Sequence, residues 1–234
     1  MRAMILAAGR GKRMGKLTDE MPKPLLRVGE HLLIEYALYA LKRAGIQEVV
    51  VNVSYYPDQL RNAIGNGQRY GLSIQYSLEP EALETGGGIV KALPLLGEQP
   101  FIVMSADIVT DFAFERLSLQ PDTLAHLVLV QNPSFHPQGD FGLKEGFVNH
   151  DVPKLTYANI GIYHPHLFHH LKPMHFRLTE LLLPAIAANK ITGEKFNGLW
   201  HNIGTEKDLN EINQRAREDS NLRPLVSETN TLSN

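Results

Sequence analysis

Short apolar runs at residues 1–8, 48–53, 72–77 and 101–107 are separated by stretches whose apolar residues recur at three-to-four spacing. Strands alternating with helices of 10 to 15 residues predict a mostly parallel sheet with helices packed on both faces. Sheets of that kind bind ligands outside the carboxyl ends of their strands, and Gly9 and Asp107 both fall at such ends. The expected class is α/β.

The individual elements follow from local pattern. Residues 32–45 read as a core-packed helix closed by Gly45, and residues 48–53 as a fully buried strand. Pro57 marks a helix start, and residues 72–77 alternate like a strand. Beyond residue 124 the pattern loosens into strand-like segments at 124–130, 141–148 and 155–163, separated by Pro, Gly, Asn and His. These predict a small antiparallel part that supplies the second half of a site. Helices are expected at 178–189 and 206–217, and a polar, loose tail at 220–234. No internal repeat or composition break marks a second domain. The expected organisation is a single domain over 1–219, with a first part to about 120 and a second over about 121–204.

Composition removes whole classes of function. With 23 Lys plus Arg against 25 Asp plus Glu, a net charge of -2 gives no global reason to seek nucleic acid or an acidic membrane. There is no cysteine, which excludes disulfides, thiolate metal sites and cysteine nucleophiles and fits a cytoplasmic location. The first eight residues are too short for a signal-peptide core, and no apolar stretch approaches the roughly 18 residues of a membrane span.

The first strand runs directly into Leu6-Ala7-Ala8-Gly9-Arg10-Gly11-Lys12-Arg13-Met14. Small residues there let backbone N–H groups approach a polyphosphate. A Walker A loop would need Ser or Thr after Gly11-Lys12, where Arg13 stands, and a dinucleotide fingerprint would need a third glycine. A plain glycine turn stays open as the alternative. Further on, Pro22 and Pro24 flank Lys23 and stiffen the backbone that presents it, as they would in any rigid surface loop.

Together these segments resemble the signature of the sugar-1-phosphate nucleotidyltransferases, Gly-x-Gly-x-Arg-Met/Leu followed by Pro-Lys-Pro-Leu, through Gly9, Gly11, Arg13, Met14 and residues 22–25. The resemblance implies a Rossmann-like sheet of the nucleotidyltransferase A type. It also implies that Leu6, Ala7, Ala8, Gly9 and Gly11 line the nucleotide, and that Arg13 and Lys23 hold its phosphates. Residues 79–89, with Glu84-Thr85-Gly86-Gly87-Gly88, look like the base-binding loop of this family in the form found in its branch that uridylylates N-acetylmuramate 1-phosphate during cell-wall recycling. Residues 93–97, 127–133 and 139–141 resemble that branch too. A carboxylate such as Glu79 accepts the imide N–H of uracil, or an N–H of guanine, with Gly86 beside it. The triple glycine read alone is a flexible linker.

Asp107, at the end of a buried strand, suits Mg²⁺ or a helix N-cap. The second metal carboxylate of the family comes from Trp-x-Asp-x-Gly-Thr, and here Asn202 replaces that aspartate in residues 200–205. An amide oxygen still ligates Mg²⁺ but contributes no charge. The resemblance further implies sugar contacts from Gly142, Asn159 and Gly161. His164, His166, His169, His170 and His175 read as surface or capping residues. Nucleotidyl transfer from UTP to a sugar 1-phosphate is the expected reaction, with Arg13, Lys23 and Asp107 as catalytic groups. Guanylyl transfer to mannose 1-phosphate and a non-catalytic nucleotide sensor are the alternatives.

Overall fold

The structure, a computed structural model, describes residues 1–218. The tail expected at 220–234 lies outside the described residues.

Strand β1 (Arg2–Leu6) is followed by a short hairpin of β2 (Arg27–Val28) and β3 (His31–Leu32), helix α1 (Leu33–Arg43), β4 (Glu48–Val53), α2 (Pro57–Ile64) and β5 (Ser73–Leu78). Next come α3 (Glu84–Leu96), β6 (Phe101–Ser105), β7 (Ile108–Thr110), β8 (Ala125–Val130), β9 (Gly142–Lys144), β10 (Phe147–Asn149) and β11 (Thr156–Tyr163). Helix α4 (Leu178–Ala187), β12 (Ile191–Phe196), β13 (Trp200–Asn202) and α5 (Glu206–Glu218) close the chain described. Nine of these strands form one sheet in the order β5-β4-β1-β6-β11-β8-β12-β10-β9. The first four run parallel, and β11 is inserted antiparallel between β6 and β8. The sheet is therefore mostly parallel, and its antiparallel portion continues the same hydrogen-bonded surface.

Alternation along β1 explains why both faces are covered. Ala3 and Ile5 point into a core shared with α1 and α2, whereas Met4 points into a second core shared with α3 and α4. Helix α1 ends where the sequence says it should: Gly45 adopts φ 78°, Ile46 N–H donates to Leu41 O at 3.1 Å and Gly45 N–H to Lys42 O at 3.0 Å. That 6→1 and 5→2 pair satisfies the last carbonyls of the helix.

Three expectations need correction. Residues 141–148 are not one strand but the hairpin of β9 and β10, turned at Glu145 (φ 52°) and Gly146 (φ 81°). A two-residue loop with both central residues at positive φ matches the twist of the strands, and glutamate is an uncommon occupant of that position, so the turn was hidden. The stretch 79–89 that resembles a base-binding loop is helical from Glu84 onward, and helix α3 includes all three glycines. Strand β12 was not anticipated, because Glu194 and Lys195 interrupt its apolar pattern.

Helix α5 returns to the beginning of the chain. Leu209, Ile212 and Ala216 pack against Met14, Leu26, Val28, Leu33 and Tyr36 in a third core. Thr205 and Asp208 close the first turn of this helix, since the Asp208 carboxylate accepts Thr205 N–H at 2.7 Å and Asp208 N–H donates to the Thr205 hydroxyl at 3.2 Å. Among the described residues no helix is long and apolar enough to cross a membrane. Met14 is 1% exposed, so Met14→Ala should lower unfolding free energy by about 2 to 5 kcal/mol. Urea denaturation checks this, and an unchanged midpoint would mean that α5 does not anchor the glycine loop.

Candidate active site

Because β1 pairs in register with β4 and β6, Leu6, Asn52 and Ser105 lie at one level. The loops that follow start side by side at the point where the strand order reverses around β1. After β1 the chain makes a left-handed turn at Gly11 (φ 70°), and a Cβ there would lie 3.0 Å from Lys23 Cβ. Glycine is thus required both for the turn and for the approach of Lys23. The buried Thr18 hydroxyl donates to Gly11 O at 3.1 Å and fixes the loop from below.

Lys23 rises from a single tight turn in which Leu25 N–H donates to Pro22 O at 2.9 Å. Its ammonium forms an ion pair with Asp107 Oδ2. Ser105 Oγ donates to the other carboxylate oxygen, Asp107 Oδ1, at 2.5 Å. Arg13 lies against Gly204, whose Cβ position is 3.1 Å from the guanidinium. Gly204 follows β13, which pairs with β7 so that Asn202 stands opposite Ile108, and Ile203 N–H donates to Asp107 O at 2.9 Å. The structure therefore gathers Arg13, Lys23, Asp107 and Asn202 around one loop junction, though they are up to 189 positions apart in the chain.

Asn202 Oδ1 is buried and has no hydrogen-bond partner, alone in this among the buried side-chain polar atoms described. An unsatisfied buried acceptor is costly, and an amide oxygen is a ligand type that a hard cation accepts. Adjacent His201 has its pKa lowered by burial and then by the Arg215 guanidinium, which donates to Nε2 at 3.0 Å. The neutral ring adds no competing charge there.

Glu79 is placed beneath the loops rather than at their rim. It is 1% exposed, Oε1 accepts from Asn52 Nδ2 at 2.7 Å, and Oε2 accepts from Leu83 N–H at 3.0 Å. Asn52 Oδ1 in turn accepts Ala7 N–H at 2.7 Å. With one donor on each carboxylate oxygen, Glu79 ties the loops after β1, β4 and β5 together. Asn52 was missed, and its signal was a lone amide inside the run Val49-Val50-Val51-Asn52-Val53. Gly86 N–H donates to Phe176 O at 3.1 Å, and the Phe176 ring fills the Cβ position of Gly86. The glycines thus admit the 174–176 segment against α3, and a Cβ on Gly88 would strike Glu79 Oε1 at 2.7 Å.

On the other side of β6, the register of β11 with β8 shifts between Tyr157 and Gly161, and Asn159 adopts φ 56° at this bulge. Bulges of this kind re-aim side chains beside sites, and Trp200 Nε1 donates to Ala158 O at 3.0 Å, tying the bulge to the Asn202 ribbon. Gly161 and Gly142 are buried, and their Cβ positions are filled by protein atoms, His126 O at 2.9 Å for the first and Asn149 Oδ1 for the second. Both glycines are accounted for by packing. His164 Nδ1 accepts His166 N–H at 3.1 Å as a cap, and among the described residues no cluster of three or more His, Asp or Glu is arranged to hold a metal.

The sequence profile of the nucleotidyl transferase family matches residues 2–219. The chain belongs to that family. It is 44% identical over 227 residues, 92% of this chain and 98% of the other, to the N-acetylmuramate alpha-1-phosphate uridylyltransferase of Neisseria meningitidis serogroup B. Similarity to a mannose-1-phosphate guanyltransferase of Gibberella zeae is lower, 27% over 89% of this chain and 62% of that one. Among solved structures, a putative glucose-1-phosphate thymidylyltransferase from Bacillus anthracis superimposes with a TM-score of 0.81 at 21% identity, over 94% of this chain and 96% of that one.

The Asn52 bridge has a measurable consequence. Asn52→Asp replaces the donor to Glu79 with a second carboxylate, so the folded nucleotidyltransferase should lose stability at pH 7 and regain part of it toward pH 5, as protonation of one carboxyl removes the repulsion. Denaturation midpoints at the two pH values read this directly. Equal losses at both would show that the two side chains do not share a site.

Proposed function

We propose that the protein transfers the uridylyl group of UTP to N-acetylmuramate 1-phosphate, releasing pyrophosphate. The observation that carries the choice of substrates is the 44% identity to the Neisseria meningitidis uridylyltransferase along 98% of its length. The geometry carries the reaction type, because Arg13, Lys23 and Asp107 converge where the strand order reverses.

The sugar phosphate is already ionised at pH 7, so an oxygen of it attacks the α-phosphorus of the nucleotide in line and the bond to the β-phosphate oxygen breaks. No protein base is required. Arg13 and Lys23 act by positioning the triphosphate and stabilising the charge that develops on the leaving group. For that, the Lys23 ammonium exchanges the Asp107 carboxylate for phosphate oxygens. Asp107 and Asn202 would hold Mg²⁺, since one supplies a charged oxygen and the other an unpartnered amide oxygen. When bound, the cation neutralises phosphate charge. Ala7, Ala8 and the start of α3 present backbone groups to the base, while Glu79 and Asn52 keep them in place. Asn159 lies on the sugar side of Asp107. UTP is a cytoplasmic substrate, and reuse of a peptidoglycan sugar is the corresponding cellular role.

A pyrophosphate-release screen of UTP, GTP, dTTP and CTP against a panel of sugar 1-phosphates tests the assignment. The fastest release is expected with UTP and N-acetylmuramate 1-phosphate. Preference for GTP with mannose 1-phosphate would move the protein to the guanylyl branch, and nucleotide binding without release from any pair would make it a sensor.

Arg13→Ala and Lys23→Ala should each lower turnover on the order of 10² to 10³, measured at saturating substrates. Near-normal rates in both folded variants would remove them from the catalytic set. Asp107→Ala should abolish turnover, whereas Asn202→Asp should tighten the apparent Mg²⁺ affinity by adding a second carboxylate. Superimposable magnesium titrations of wild type and Asn202→Asp would place residue 202 away from the metal.

A further inference from the structure

Arg10, Lys12, Arg13 and Lys16 are all exposed in the glycine loop, and none forms an ion pair among the described residues. Of these, Arg10 is the one held by an aromatic face, with its guanidinium carbon 5.4 Å from the centroid of the Tyr55 ring. Tyr55 is itself fixed. Its hydroxyl donates to Asp19 O at 3.0 Å, its ring meets Tyr56 with centroids 4.4 Å apart, and the Tyr56 hydroxyl donates to the same Asp19 carbonyl at 2.9 Å. Gln59 Nε2 adds a bond to Glu20 O at 2.8 Å. The corner between β4 and α2 therefore grips the segment joining the two phosphate-binding motifs and carries Arg10 on its inner tyrosine.

A guanidinium resting on a ring keeps its full charge and all its donors, unlike one paired with a carboxylate. It is free to form a bidentate bond to a phosphate. Topology determines which phosphate. Tyr55 follows β4, on one side of β1, whereas Asp107 follows β6 and Asn159 lies in β11, on the other side. Arg13, against Gly204, also lies on the β6 side. The two guanidiniums thus flank the loop from opposite sides, and Arg10 is remote from the strands that carry the sugar half.

We propose that Arg10 is a substrate-contacting residue that clamps the β- and γ-phosphates opposite Arg13 and holds them as pyrophosphate leaves, with Tyr55 as the positioning residue that keeps it at the loop. This rests on the proposed reaction, whose leaving group is pyrophosphate.

Calorimetric titration with magnesium pyrophosphate tests it without turnover, alongside initial rates. Arg10→Ala should weaken pyrophosphate binding about tenfold, as loss of a hydrogen bond to a charged group does, and raise KM for UTP while leaving KM for the sugar 1-phosphate unchanged. Arg10→Lys should recover part of the loss. Tyr55→Ala should weaken pyrophosphate binding in the same direction and Tyr55→Phe, which keeps the ring, should not. The double variant Arg10→Ala with Tyr55→Ala should bind no more weakly than Arg10→Ala alone, because Tyr55 acts through Arg10. Unchanged pyrophosphate affinity in Arg10→Ala overturns the proposal, including the case where KM for UTP rises, which would place Arg10 on the nucleoside. Pyrophosphate binding by wild type without turnover of any substrate pair would refute the reaction and leave the clamp measured by the variants.

Discussion

Leu6, Asn52 and Ser105 end at one level because β1 pairs in unbroken register with β4 and β6. A slip of one residue in either pairing would turn a whole set of side chains to the wrong face, and it would also separate the three loops that make the site. The register is held at its carboxyl end by side chains as well as by the ladder. Asn52 reaches across to Ala7 N–H on one flank and to Glu79 on the other. Since an amide has one acceptor and one donor end, both contacts are made only in one orientation. A buried carboxylate that has no cation beside it is tolerated because an amide and a backbone N–H supply its donors.

Charge is distributed locally, not globally. The whole chain carries -2, yet the phosphate loop presents four exposed cations and the ammonium of Lys23 is matched by Asp107. Such a loop attracts a polyanion at short range while the protein as a whole stays nearly neutral. The Lys23–Asp107 pair also keeps two buried-side charges compensated before any ligand arrives; removing either partner would leave the other uncompensated.

That Lys23 and Asp107 are candidates was legible from backbone chemistry, prolines that must stiffen and a carboxylate that ends an apolar strand, whereas Arg13 was marked only by the resemblance to the family signature. The parallel half of the sheet was legible for a similar reason, since strands buried on both faces have continuous apolar runs. Glu79 was singled out in the sequence, but its placement was not legible, because burial of a polar side chain depends on partners such as Asn52 and Leu83 that lie in other elements. The triple glycine was misread as a loop, since nothing local reveals that Phe176 and Met174 press on those residues from about 90 positions away. Glu145 and the charged strand β12 show the same limit, where tertiary pairing overrides local pattern.

The proposed metal role of Asn202, which stands where the family signature has aspartate, has consequences for charge at the site. The ribbon of β7 and β13 holds it beside Asp107, and its buried oxygen has no donor. An aspartate in that place would add a second negative charge to the junction that already holds Asp107 between Lys23 and Ser105, with Arg13 nearby. Before ligand arrives, that charge would strengthen the hold on Lys23 and oppose its transfer to phosphate. Asparagine keeps an oxygen of the same reach without adding that charge. The nucleotide-free junction, with Arg13 and Lys23 against Asp107, then keeps one net positive charge for the triphosphate, Lys23 is easier to release, and retention of the proposed cation would fall to the oxygens of the triphosphate. On the proposed metal role of Asp107 and Asn202, metal and nucleotide are expected to bind as one unit.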